Sequence, residues 1–150
     1  MAYSKVFDNL FIGASCFATN QDALQSEKIT HILICTEGIA PSFPEDFEYK
    51  SIPININKWS EIFKDFKEAG AFIKQILTQG NVLVYCSNGR DKSPSIVIAY
   101  LIEHMNFTAA KAIELVKNAR PLISISGFTN DLEEFEKFIA KEKTEVAKSN

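Results

Sequence analysis

The 150-residue sequence is short of several things, and each shortage closes off a class of protein. It has no apolar run long enough to cross a bilayer, and its start, MAYSKVFDNL, lacks the basic-then-apolar layout of a signal peptide. It has no surplus of positive charge: the formal net charge is −3, so neither a nucleic-acid backbone nor an anionic membrane surface is an expected partner. It has only three cysteines, Cys16, Cys35 and Cys86, in no metal-ligand spacing, which argues against a secreted disulfide framework and against a zinc site. Free thiols, no metal or other cofactor, and residence in the cytoplasm or nucleus are the expectations. It also has no internal repeat, low-complexity tract or linker.

What is present is a chain 46% hydrophobic and 23% charged, enough for one core and too short for two domains. "NLFIGAS" reads as a strand ending at Gly13, and "NQDALQSEK" as a short helix capped by Asn20. "ITHILIC" is β-branched and almost continuously apolar, as in a strand covered on both faces. "FEYKSIPI" alternates like a strand. From Ser60 to Gln79 the apolar positions recur every three or four residues, which predicts a helix with Gly80 as its C-cap. "NVLVYC" is the next strand, followed by a loop over 87–92 and a helix with Ser93 as N-cap and Pro94 at its first position. "TAAKAIELVKNA" is a helix stopped by Pro121, and "GFTNDLEEFEKFIAKE" is the last. Residues 143–150 read as a frayed polar tail behind a domain of 1–142. "KDFKEAG" and "KNAR" read as solvated faces, and His31 and His104 receive no chemistry.

Strands alternating with helices imply a single α/β domain, a central and mostly parallel sheet of about five strands flanked by helices. In such sheets ligands sit outside the carboxyl ends of the strands. Cys86 stands at such an end, opening "CSNGRDKSP". A strand that turns tightly into a helix aims successive backbone N–H groups at one point, to which the helix N-terminus adds partial positive charge. Such a nest over Cys86, Ser87, Asn88, Gly89, Arg90, Asp91 and Lys92 would hold a phosphate or sulfate. Gly89 suits a position of positive φ or close approach. The same donors would hold the Cys86 sulfur as a nucleophile.

"VYCSNGRDKSPSIVIAYLI" resembles the signature of the dual-specificity phosphatases, H-C-x-x-G-x-x-R-S followed by a small residue or proline and "IVIAYL". "NLFIGAS", "ITHILICTEG", "YKSIPI", "EAGAFI" and "RPLISISGF" fall in that family's order, so the resemblance spans nearly the whole chain. It implies a phosphocysteine formed by Cys86, a cation gripping phosphate, and a serine, Ser93, that helps the thiolate leave. It also implies an aspartate from a separate loop that protonates the departing oxygen. Some lipid-directed relatives carry a cysteine at the place of Cys35 that forms a disulfide with the catalytic one; a buried core thiol is the plainer expectation here.

Three positions depart from the pattern. Tyr85 replaces the histidine before the cysteine, and Lys92 replaces the arginine. An ammonium is a point charge without the planar fork that matches two phosphate oxygens. The loop after "YKSIPI" puts Ile56 at the acid's place, between Asn55 and Asn57, with Trp59 close behind. Asp91 adds a negative charge beside the nest, and Arg90 is expected to face outward. Losing a general acid costs roughly 10² to 10⁴ in rate, and losing an oxyanion donor roughly 10² to 10³. The expectation is therefore an impaired, pseudophosphatase-like monomer that binds a phosphorylated protein or phosphopeptide. The alternatives are a slow or atypical cysteine-dependent phosphatase and an interaction scaffold that binds no anion.

Overall fold

The computed structural model describes residues 2–54 and 61–149; Asn55, Ile56, Asn57 and Trp59 lie outside the described residues. Its elements run β1 (Tyr3–Phe7), β2 (Leu10–Gly13), α1 (Ser15–Ala18), α2 (Gln21–Ser26), β3 (His31–Ile34), β4 (Glu48–Ser51), α3 (Ile62–Leu77), β5 (Val82–Tyr85), α4 (Lys92–His104), α5 (Ala109–Ala119) and α6 (Thr129–Ser149). One five-stranded sheet has the order β1-β2-β5-β3-β4, in which β1 alone runs antiparallel to its neighbour.

The period-2 alternation of β5 explains why the sheet is covered twice. Val82 and Val84 face a core built with Phe66 and Ile73 of α3, Ile98 and Leu101 of α4, Val116 of α5 and Phe135 of α6. Leu83 and Tyr85 point the other way, into a second cluster with Phe11, Phe17 and Leu24 beneath α1 and α2. A central strand with no wet face has no polar alternation to show, hence its continuous apolar sequence. Helix α4 is buried almost all round, flanked by α3, α5 and α6.

Several expectations are corrected by the structure. The N-terminal residues form a paired edge strand, β1, and α1 follows β2 directly. The α4 cap is Asp91, not Ser93: Asp91 Oδ1 accepts the Lys92 N–H at 2.6 Å, and Ser93 is buried inside the first turn. Gly80 is no left-handed cap, since Thr78 is the C-cap of α3. Gly80 is needed for space instead, because a Cβ there would meet Thr30 Oγ1. The last helix continues through residues 143–148, where a frayed tail was expected. That segment is rich in Lys, Glu and Ala, good helix formers, and Lys143 Nζ donates to Asn106 Oδ1 at 2.6 Å. Asn20 caps α2 as anticipated, accepting from Ala23 N at 3.1 Å.

Candidate active site

Cys86 follows β5 at the carboxyl edge of the sheet, 1% exposed, with its side chain on the α4 side. The loop that it opens is shaped from outside. Ser15, at the start of α1, donates both its N–H and its Oγ to Ser87 O at 3.1 Å. Arg120, behind α5, donates Nε to Gly89 O at 2.6 Å, and Ser124 N donates to Arg90 O at 2.6 Å. Ser95 donates Oγ to Asp91 O at 2.7 Å. With these carbonyls held from outside, the Ser93 N–H faces the Cys86 sulfur, while the Arg90 and Lys92 N–H groups are donated to Asn88 Oδ1 and Asp91 Oδ1.

Gly89 sits at φ +64°, and a Cβ there would lie 2.6 Å from an Arg120 guanidinium nitrogen and 2.9 Å from Gly13 O. Conformation and space both demand glycine. Arg120 is the functional residue that reading the sequence missed: "KNAR" was assigned to a solvated face, yet Arg120 is 6% exposed and also donates Nη1 to Ser4 Oγ at 3.0 Å. Burial pulls its guanidinium below its ordinary value, with the nearby Cys86 acting in the opposite direction. The available signal was its position immediately before Pro121 in "RPLISISGF", where the helix must end and the chain turns back toward the loop.

Around the sulfur, Ser93 Oγ is 3.2 Å away and the Ser93 N–H points at Sγ from 3.4 Å. Asn88 Oδ1 and Asp91 Oδ1 each lie 3.6 Å from Sγ. These two oxygens take backbone donors of the loop, Arg90 N at 2.9 Å and Lys92 N at 2.6 Å. Arg90 and Ser87 are exposed, and Lys92 and Asp91 half-buried.

Tyr85 points away from Cys86 into the opposite cluster, with Ser15 near its hydroxyl. Burial pushes the Tyr85 phenol up, and the nearby Ser15 hydroxyl partly offsets this. Cys35 is fully buried, and its N–H donates to Tyr85 O at 2.9 Å. Burial pushes its thiol well up, Cys86 adds to the effect and Lys92 opposes it. All three thiols are free. A cavity of about 300 Å³ flanks the loop, lined by Asn88, Arg90, Arg120 and the exposed Leu122 among others. Among the described residues no group of His, Cys, Asp and Glu is arranged to hold a metal ion.

A buried cysteine opening a nest of amides at a helix N-terminus, on a parallel sheet, defines the class of cysteine-dependent phosphatase folds. Comparison with known proteins makes the assignment specific. Residues 10–138 match the family model of the dual specificity phosphatase catalytic domain. Dual specificity protein phosphatase 1B of Arabidopsis thaliana is 38% identical over 138 residues, covering 91% of this chain and 83% of the relative. The crystal structure of DUSP15 superposes with a TM-score of 0.80 at 34% identity, covering 89% of this chain and 86% of the other. That of a human tyrosine phosphatase-like serine/threonine/tyrosine-interacting protein gives 0.81 at 30% identity, covering 91% and 96%. The chain belongs to the dual-specificity phosphatase family. The family implies a phosphoprotein substrate and phosphate binding at the active loop. Among the described residues no helix is long and apolar enough to cross a membrane.

Proposed function

We propose that this chain is a pseudophosphatase, which binds phosphorylated protein side chains in the loop of Cys86 to Lys92 and hydrolyses them poorly or not at all. One observation carries the reading: nucleophile and helix N-terminus are assembled as a phosphate site needs, with Ser93 Oγ 3.2 Å from Cys86 Sγ, while the loop's last cation is an ammonium. Lys92 can neutralise an anion but cannot clamp two of its oxygens in a plane. At the acid's place, outside the described residues, the sequence has Ile56, which has no proton to give. Capture is retained and departure of the leaving group is unassisted. A combined deficit on the order of 10⁴ or more on unactivated phosphate esters follows, even with partial compensation. The structural neighbour that is named an interacting protein, phosphatase-like in fold, fits the same reading.

Ser93 itself favours a second reading, a slow phosphatase. A hydroxyl in hydrogen-bond contact with the sulfur is placed to stabilise the thiolate as it leaves phosphorus, a role needed only if turnover occurs. Assays of the purified chain on an aryl phosphate and on phosphopeptides decide between them. Binding without turnover supports the pseudophosphatase; turnover of both substrates that Cys86→Ser abolishes supports the slow enzyme. No binding at millimolar phosphate overturns both in favour of a scaffold.

A further inference from the structure

We propose that the Cys86 nest carries its own competitor: the Asp91 carboxylate occupies the place of an incoming oxyanion and must be displaced before the loop amides can receive phosphate. This deepens the reading of the loop as a phosphate site and rests on it.

The argument starts from what the amides are doing. A nest binds an anion by offering N–H groups that have no other acceptor. Here the Lys92 N–H is donated to Asp91 Oδ1 at 2.6 Å and the Arg90 N–H to Asn88 Oδ1 at 2.9 Å. Both acceptor oxygens lie 3.6 Å from Cys86 Sγ, on the nucleophile's side of the loop, so they stand where two oxygens of a tetrahedral anion would. The loop cannot relieve the conflict by rotating its peptides. Gly89 O and Asp91 O, the carbonyls of the peptides that carry the Arg90 and Lys92 N–H groups, are held by Arg120 and Ser95, so the frame stays fixed and the side chains must leave.

The two occupants differ in what they cost a ligand. Asn88 is exposed and neutral, and its departure exposes an amide to water with little penalty. Asp91 is half-buried and anionic, and its oxygen caps the helix whose N-terminus is the binding site. A dianion arriving there meets a like charge at close range as well as an occupied donor. Asp91 therefore sets the affinity of the nest, and Asn88 modulates it.

Titration calorimetry with tungstate, a tetrahedral dianion that needs no turnover, tests this on the wild-type chain and on Asp91→Ser, Asp91→Asn and Asn88→Ala. Serine and asparagine are both good N-caps, so the helix start survives either replacement. Asp91→Ser is expected to tighten tungstate by about tenfold or more, Asp91→Asn by less, and Asn88→Ala by under about threefold. In an amide-resolved NMR titration of the wild type, the Arg90 and Lys92 resonances should move as tungstate binds. Equal affinities in wild type and both Asp91 variants, or binding that leaves those two amides unmoved, overturns the competitor while leaving anion capture standing. Tungstate bound by neither wild type nor Asp91→Ser overturns the phosphate site itself.

Discussion

In the loop after β5, the carbonyls of Ser87, Gly89 and Arg90 each have a donor from a distant part of the chain. At the seam where α4 meets α6, Glu103 Oε1 and His104 Nε2 are buried 3.6 Å apart and, among the described residues, have no hydrogen-bond partner. Lys67 ties the other Glu103 oxygen to Glu142 across that seam, at 3.0 and 2.7 Å. Both regions are polar insertions in an apolar body, and the larger cavity, about 670 Å³, is at the seam rather than at Cys86. The difference teaches that cavity size does not mark the chemistry here. A loop whose carbonyls are held from several sides is confined to one geometry; a seam with unassigned polar atoms tolerates several.

The contrast can be broken by mutation, most severely in the loop. Arg120→Ala removes a buried donor to two acceptors and should destabilise the fold by about 2–3 kcal/mol, measured by urea denaturation. A loss below about 1 kcal/mol would mean that Gly89 O is satisfied without it. Gly89→Ala puts an L-residue at positive φ against Arg120 and Gly13, and should cost about 1–3 kcal/mol while weakening tungstate binding. Lys67→Met, at the seam, removes ion pairs whose members are over a third exposed on the lysine side, so about 1 kcal/mol or less is expected.

The smallest effect sharpens the comparison through pH. Burial lowers the His104 pKa, with Glu103 opposing. The unfolded chain therefore takes up the proton first as pH falls, and the seam's contribution is complete above about 6.5, the ordinary histidine value, and is lost as pH falls through the lowered folded value. Denaturant midpoints recorded from pH 7.5 to 5 should show this loss in the wild type and not in His104→Gln. An identical slope in both would remove His104 from the account.

A separate measurement addresses the chemistry at Lys92. Lys92→Arg restores the fork and should raise aryl phosphate turnover by about tenfold, an aryl leaving group scarcely needing the acid that Ile56 lacks. No change, with rescue only on adding Ile56→Asp, would place the limiting defect at the acid instead.

The parallel strands and long helices could be read from the sequence because their signals are local: the unbroken apolar run of β5, the three-and-four spacing of α3, Asn20 before α2. The edge strand β1 was missed because "YSKVF" has only a weak alternation and gains its status from pairing with Leu10–Gly13. Cys86 and Gly89 could be picked out by their place in a tight loop between a strand and a helix, whereas a role for Ser93 beyond capping came only from the family resemblance. Asp91 could not be picked out, since Ser93 with Pro94 after it is the better local cap, and only the requirement that Ser93 face the sulfur moves the boundary two residues back. Arg120 was overlooked for a related reason, its place before Pro121 being the only local signal. Its value comes from Gly89, 31 residues earlier, and from Ser4, 116 residues earlier.

That last separation has a consequence for the order in which the molecule matures. A chain emerging from its amino end presents Ser4, then the cysteine loop, and only much later the guanidinium that ties them together. Until α5 has been made and docked, the thiol exists without its clamp. The proposed phosphate site would thus be completed late, and opening of α5 away from the loop would undo it.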